Sequence, residues 1–145
     1  MPANNQESNT SSRGFLADSG MSWTIEYIED RRFVKVVTKG DYNVNAHRQM
    51  LEDILNRDFW RSDMNLLIDD SSLNFSRITL EVLREAAAMR IEMDARLGGN
   101  KTAILVNSLV NFGRVRQFEL ITGSKISAEI RVFQDENEAI GWLIE

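Results

Sequence analysis

Six polar side chains within eleven positions concentrate reactive groups as no other segment of the chain does: Asp69, Asp70, Ser71, Ser72, Ser76 and Thr79. They follow the branched apolar run Leu66-Leu67-Ile68 and precede a helical periodicity that starts near Thr79. A buried strand whose carboxyl end opens into a polar loop and then a helix is where open α/β sheets place ligands. Two adjacent carboxylates there suit a divalent cation or a phosphoryl acceptor, provided that a third acid and a nearby lysine balance the charge. The next apolar run ends in Val106-Asn107-Ser108, and Lys101 stands at its far end, so neither condition is met and Asp69 is a poor centre for a phosphohydrolase. Capping of the loop through backbone N–H groups accounts for the carboxylates instead. Hydroxyls ahead of a helix N-terminus suit an anion or a phosphoryl group, although phosphorylation would be opposed by Asp69, Asp70 and Glu81. Ordinary N-capping accounts for a Ser or Thr there equally well.

Other chemistries fall away on residue type. The chain has no cysteine, hence no thiolate nucleophile, disulfide framework or zinc-ribbon spacing. Its one histidine, His47, lies a helical turn ahead of Met50 and Leu51 and reads as the boundary of an apolar face. There is no G-x-S-x-G elbow, no G-x-G-x-x-G and no Walker loop. No catalytic residue, metal ligand or cofactor is therefore assigned. Arg114 and Arg116 read as a solvated helix face. A formal net charge of −5 argues against a nucleic-acid partner. No apolar run approaches the roughly 20 residues that a membrane span needs, and a cytoplasmic location is expected.

The elements that position the loop follow from period. With 145 residues, 43% of them hydrophobic, the chain suits one domain with a real core. Residues 1–20, rich in Asn, Ser and Gln, are expected to be a flexible polar tail, with 21–145 as the domain and Met21 as a candidate start. Alternation predicts a hairpin of strands over Trp23–Ile28 and Phe33–Thr38 around Glu29-Asp30-Arg31-Arg32. Helices are predicted from about Val44 to Asn56, Thr79 to Arg96, after Ser108 to Thr122, and from Asp135 onward. Strands are predicted at Asn65–Asp69, Thr102–Val106 and Ala128–Phe133, the last at a sheet edge with one wet face. Phe59 and Trp60 are expected to cover one end of the core. The order is ββαβαβαβα: a mostly parallel five-stranded sheet with an antiparallel N-terminal hairpin strand. If the helices wind to one side, something else must cover the second face, and a homodimer is one expectation on that ground.

This pattern resembles the SpoIIAA-like proteins, relatives of the STAS domains (sulfate transporter and anti-sigma-factor antagonist). The carriers are Trp23-x-Ile25, Val34-x-Val36-x-x-x-Gly40-x-Tyr42, the strand–loop–helix around Asp69 and Asp70, and Val132-Phe133-x-Asp135-x-x-Glu138-Ala139-x-x-Trp142-Leu143. The resemblance covers nearly everything after the tail. It implies a superhelical α/β sheet and a non-enzymatic regulatory role, often as the phosphorylation-switched partner of a kinase. The antagonist pattern, roughly D-x-S-x-x-x-x-x-D-S, aligned on Asp70 and Ser72, puts Ile78 at the acid and Thr79 at the phosphorylated serine. With the acid lost, the implied switch is degenerate. The same superfamily reaches SEC14-like lipid carriers. The alternative is thus a carrier of a small hydrophobic ligand lodged between the second and third helices, against Met89, Met93 and Phe112.

Overall fold

The computed structural model describes the backbone of Ser11–Phe15 and residues 20–145 in full. The element order is β1 (Ser11–Phe15), β2 (Ser22–Ile28), β3 (Phe33–Asp41), α1 (Val44–Leu55), β4 (Asn65–Asn74), α2 (Leu80–Leu97), β5 (Lys101–Leu105), α3 (Leu109–Thr122), a short 3-10 turn, β6 (Glu129–Phe133) and α4 (Glu136–Ile144). The six strands lie side by side in sequence order. β1, β2 and β3 pair antiparallel, and β3 through β6 pair parallel.

The five expected strands and four expected helices are all present. β1 is an addition, drawn from the stretch expected to be a flexible tail. An edge strand is held by backbone hydrogen bonds to one neighbour, so the polar composition that argued for a tail does not prevent pairing. The rest of that expected tail, residues 1–10 and 16–19, lies outside the described residues.

Each helix starts on a side-chain acceptor. Asn43 accepts from the Ala46 N–H, Thr79 from Val82, Ser108 from Asn111 and Asp135 from Glu138, satisfying donors that the first helical turn leaves orphaned. α2 stops at Gly98, whose φ of 85° favours glycine. Three consecutive parallel crossovers in one direction place α1, α2 and α3 on the same side of the sheet. The main core lies there, with Ile25, Val34, Val36, Leu66 and Ile68 from the strands facing Met50, Ile54, Ala87, Met93 and Phe118 from the helices. Tyr27 stacks on Phe59, ring centroids 5.2 Å apart, at one end of that core.

α4 returns across the opposite face. Ala139, Trp142 and Leu143 pack on Phe33, Leu67, Ala103 and Leu105. The cover for which a second subunit was one expectation is thus supplied over β3–β5 by the chain itself. Beyond α4, that face presents mainly polar residues, among them Thr24, Glu26, Lys35 and Lys39.

Candidate functional site

The sequence reading ends the strand at Asp69, but β4 runs on to Asn74. Asp70, Ser71 and Ser72 therefore belong, with Asp69, to a strand and not to a loop. The physical reason is a β-bulge. Val37 pairs with Asp69 and Lys39 with Ser72, so Thr38 stands opposite two residues of β4, Asp70 and Ser71. An extra residue shifts the alternation by one. Leu66 and Ile68 face the main core before the bulge, and Leu73 and Phe75 face it after.

The two carboxylates part by ordinary strand alternation, Asp70 keeping the phase of Leu66 and Ile68. Asp69 Oδ1 accepts from the Ser71 N–H at 3.0 Å and the Ser71 hydroxyl at 2.5 Å, a local turn-like closure. Asp70 turns inward, where its Oδ1 meets the hydroxyl of fully buried Thr38 at 2.6 Å. Burial pushes the Asp70 carboxyl up to about 7, against the opposing Thr38 hydrogen bond and with help from the Asp69 charge. Ser72 and Ser76 are exposed. Thr79 is exposed as well, and its hydroxyl accepts the Val82 N–H at 3.1 Å as the α2 cap.

Asp70 lines a cavity of about 60 Å³ between the sheet and α1–α3. The walls are apolar, with Met50, Leu66, Ile68, Phe75, Leu83 and Phe118 among them. Set into them are Tyr42, His47, Arg90, Thr102 and Arg114. Tyr42 OH and His47 Nδ1 are 2.6 Å apart, and the Tyr42 ring stacks on Phe75 at 5.9 Å. Burial, assisted by the Arg90 charge, lowers His47 to about 4, so the imidazole is neutral at physiological pH. Burial raises the Tyr42 phenol, with Asp70 and Glu85 adding to the effect.

Arg90 is the least usual of these residues, only 3% exposed. Its Nη1 donates to Asp94 Oδ1 at 3.2 Å, an i,i+4 pair, while Nη2 has no partner among the described residues. Asp94 is further held by the Ser127 N–H and hydroxyl, both at 2.8 Å.

The six residues of the first candidate site are thus distributed rather than gathered. Asp70 faces the cavity. Ser71, Ser72 and Ser76 line a shallow groove at the carboxyl end of the sheet, with Asn107, Asn111 and Arg114 opposite. Thr79 begins the neighbouring helix. The candidate pocket residues take other places: Met89 and Met93 are buried core, Phe112 packs on its margin, and none of the three lines the cavity. Among the described residues no group of three or more His, Cys, Asp or Glu side chains converges as metal ligands, and no helix is long and apolar enough to cross a membrane.

Sequence reasoning missed Thr38 and Arg90, gave Tyr42 no chemical role and placed Arg114 on a solvated face; His47, read as a boundary residue, is half-buried and lines the cavity. Arg90 did leave a signal. It falls on the helical stripe of Leu83, Ala86, Ala87, Met93 and Leu97, all of them buried, and a cation on an apolar stripe requires a partner inside.

Comparison with protein-family models finds no match, and comparison with curated proteins finds none either. Among solved structures, the chain is similar to an uncharacterized protein of the DUF3478 family with a SpoIIAA-like fold from Shewanella loihica PV-4. The alignment covers 99% of this chain and 98% of that one, with 18% identity and a TM-score of 0.56. The chain has a SpoIIAA-like fold. At that identity the likeness speaks for architecture and leaves activity to the residues themselves.

Proposed function

We propose that this SpoIIAA-like chain is a non-enzymatic binding domain that recognises a regulatory protein through the carboxyl-terminal rim of its sheet. The observation that carries this reading is exposed apolar surface at that rim. Leu109 and Val110, in the first turn of α3, are 78% and 64% exposed, and Leu80, the first residue of α2, is 46% exposed. β4 and β5 are adjacent parallel strands, so the helices that follow them begin side by side, beside the groove of Ser72 and Ser76. Large apolar residues grouped on an otherwise polar rim mark contact surfaces more often than chance exposure does. In this reading Thr79 is a cap and not a full switch. Its hydroxyl is committed to the Val82 N–H, and Ile78 stands where the antagonist pattern has an acid.

The test is affinity capture from the source cell with the wild-type chain and with Leu109→Glu/Val110→Glu. Partners bound through the rim are lost from the double variant, while its circular dichroism and unfolding midpoint stay unchanged, because both side chains are exposed. A partner retained equally by both proteins sinks the proposal. Thr79→Glu tests the switch separately: unchanged partner binding removes phosphorylation from the account.

A second reading, carriage of a small hydrophobic ligand, is favoured by the cavity. Its volume restricts the occupant. One water needs about 10–15 Å³ and a benzene ring occupies a cavity of about 150 Å³. A space of about 60 Å³ takes a few heavy atoms and not an acyl chain.

A further inference from the structure

We infer that the cavity between the sheet and α1–α3 is a binding site for a small monocarboxylate, with the carboxylate on Arg90 and a short alkyl group against the apolar wall. The inference rests on the second reading above and names the chemical class of its ligand.

The first argument is the balance of donors and acceptors. Arg90 is only 3% exposed, and its buried Nη2 carries two N–H donors that meet no acceptor among the described residues. The Tyr42–His47 pair holds one more donor in either tautomer: if the phenol donates to Nδ1, then Nε2 carries a proton, and if Nδ1 donates, the phenol proton is free. The acceptors facing the cavity are fewer: the Asp70 carboxyl, whose Oδ2 has no hydrogen bond among the described residues, and the Thr102 hydroxyl oxygen. Asp70 Oδ1 takes the Thr38 hydroxyl. Thr102 sends its hydroxyl proton to Asn100 Oδ1 at 2.8 Å, away from the cavity lining. Water in such a space finds donors to accept from and few acceptors to donate to. A carboxylate has acceptor sites alone, and it matches a guanidinium in both charge and geometry.

The second argument is charge. Two guanidiniums, Arg90 and Arg114, and one carboxyl, Asp70, line the cavity. Arg90 shares Asp94 with two Ser127 donors. Arg114 bonds the Asn111 amide oxygen at 3.1 Å, a neutral acceptor. The lining therefore carries more cationic than anionic groups, and a partly buried cation gains most from an anion brought beside it. The third argument is size and polarity. The walls around these groups are Met, Leu, Ile and Phe, so an alkyl group of two or three carbons is the complement that the remaining volume admits.

The test uses the intact chain and sodium propionate, with propionamide as the uncharged match. Met21 and Met50 line the cavity and Met64 does not, so the ε-methyl resonances of the methionines report occupancy with an internal control. Propionate is expected to shift Met50 saturably and leave Met64 in place, with propionamide binding at least about tenfold more weakly, the loss of one charge-assisted contact. Arg90→Met is expected to weaken propionate by about tenfold or more and to leave propionamide unchanged. Equal affinity for acid and amide overturns the inference, as does the absence of a saturable Met50 shift at tens of millimolar propionate. Should Arg90→Met fail to fold, the acid-against-amide comparison on the wild-type chain decides alone. An uncharged apolar molecule found in the cavity would uphold the carrier reading and overturn the carboxylate.

Discussion

The two faces of the sheet bury polar groups in opposite ways. Under α4, no buried side-chain nitrogen or oxygen among the described residues lacks a hydrogen-bond partner. Asn65 Nδ2 donates to the Leu143 carbonyl at 3.0 Å, its Oδ1 accepts the Lys101 N–H at 2.9 Å, and Lys101 Nζ donates to the Trp142 carbonyl at 2.9 Å. Arg131 and Lys101 sit over the Trp142 ring at 5.0 and 5.3 Å from its centroid. Under α1–α3 the larger core holds a cavity, a neutral imidazole, a carboxyl pushed up to about 7 and a guanidinium nitrogen without an acceptor among the described residues. Buried polar groups are normally satisfied, because each unsatisfied one costs free energy. A face that satisfies all of its groups serves stability. The other face departs from that rule at two atoms among the described residues, Arg90 Nη2 and Glu119 Oε1, and only Arg90 stands beside the cavity, so that place is the candidate for function.

The comparison breaks most visibly at Trp142, which is 6% exposed and central to the α4 cluster. Trp142→Ala should lower stability by about 3–5 kcal/mol, the range for deleting a large buried aromatic, read as a drop in the urea midpoint. Methyl shifts of Met50 on the far face should stay near their wild-type positions at low denaturant. A loss under about 1 kcal/mol would mean that α4 does not anchor its face.

Acid sharpens the comparison from the other side, since the two titrating groups of the cavity face act in opposite directions. The Asp70 carboxyl rises from 3.8 to about 7 on folding. Its contribution to stability is therefore full below pH 3.8 and is lost as pH rises through about 7. His47 falls from 6.5 to about 4. Its contribution is full above pH 6.5 and is lost as pH falls through about 4. Between pH 4 and 6.5 the two slopes oppose, each at most about 1.4 kcal/mol per pH unit. Asp70→Asn should make stability fall more steeply on acidification than in the wild type, and His47→Gln should make it fall less steeply or rise. Chemical denaturation at several pH values between 4 and 7 reads both. Parallel curves for the two variants would show that folding shifts the pKa of neither group.

Most of the architecture was legible because its signals are local. Alternation in Trp23–Ile28, helical spacing in Met50, Leu51 and Ile54, and the capping side chains Thr79, Ser108 and Asp135 each depend on a few neighbouring residues. Asp70-Ser71-Ser72 was read as loop because its polarity outweighed a weaker cue, namely that Leu73 and Phe75 resume the period of Leu66 and Ile68 one residue out of phase. A bulge is a property of two strands, and its partner Thr38 lies 32 positions away. The cavity is still less local, since it exists only where α1, α2 and α3 converge on the sheet. The acids and hydroxyls were thus found and their grouping was not.

Arg90→Met carries the smallest expected change in stability and tests the comparison most directly. Removing one member of a buried ion pair usually costs about 3–5 kcal/mol, because the other charge is left uncompensated. Here the charge left behind is Asp94. Its side chain is 16% exposed, and the Ser127 N–H and hydroxyl both remain on its Oδ2. Burial raises the Asp94 carboxyl, and the two Ser127 hydrogen bonds together with Arg90 more than offset that, leaving it below the ordinary carboxylate range. The Ser127 bonds survive the substitution. Methionine fills much of the arginine stem volume and takes an unsatisfied nitrogen out of an apolar wall. The expected loss is no more than about 1 kcal/mol, with a small gain also in keeping with the argument. A loss of about 3 kcal/mol or more would place Arg90 among the groups that hold the fold, alongside Trp142, and the contrast between the two faces would disappear. A protein that keeps its stability and loses its affinity for propionate would show the reverse: a guanidinium kept inside the core at little benefit to folding, for what it binds.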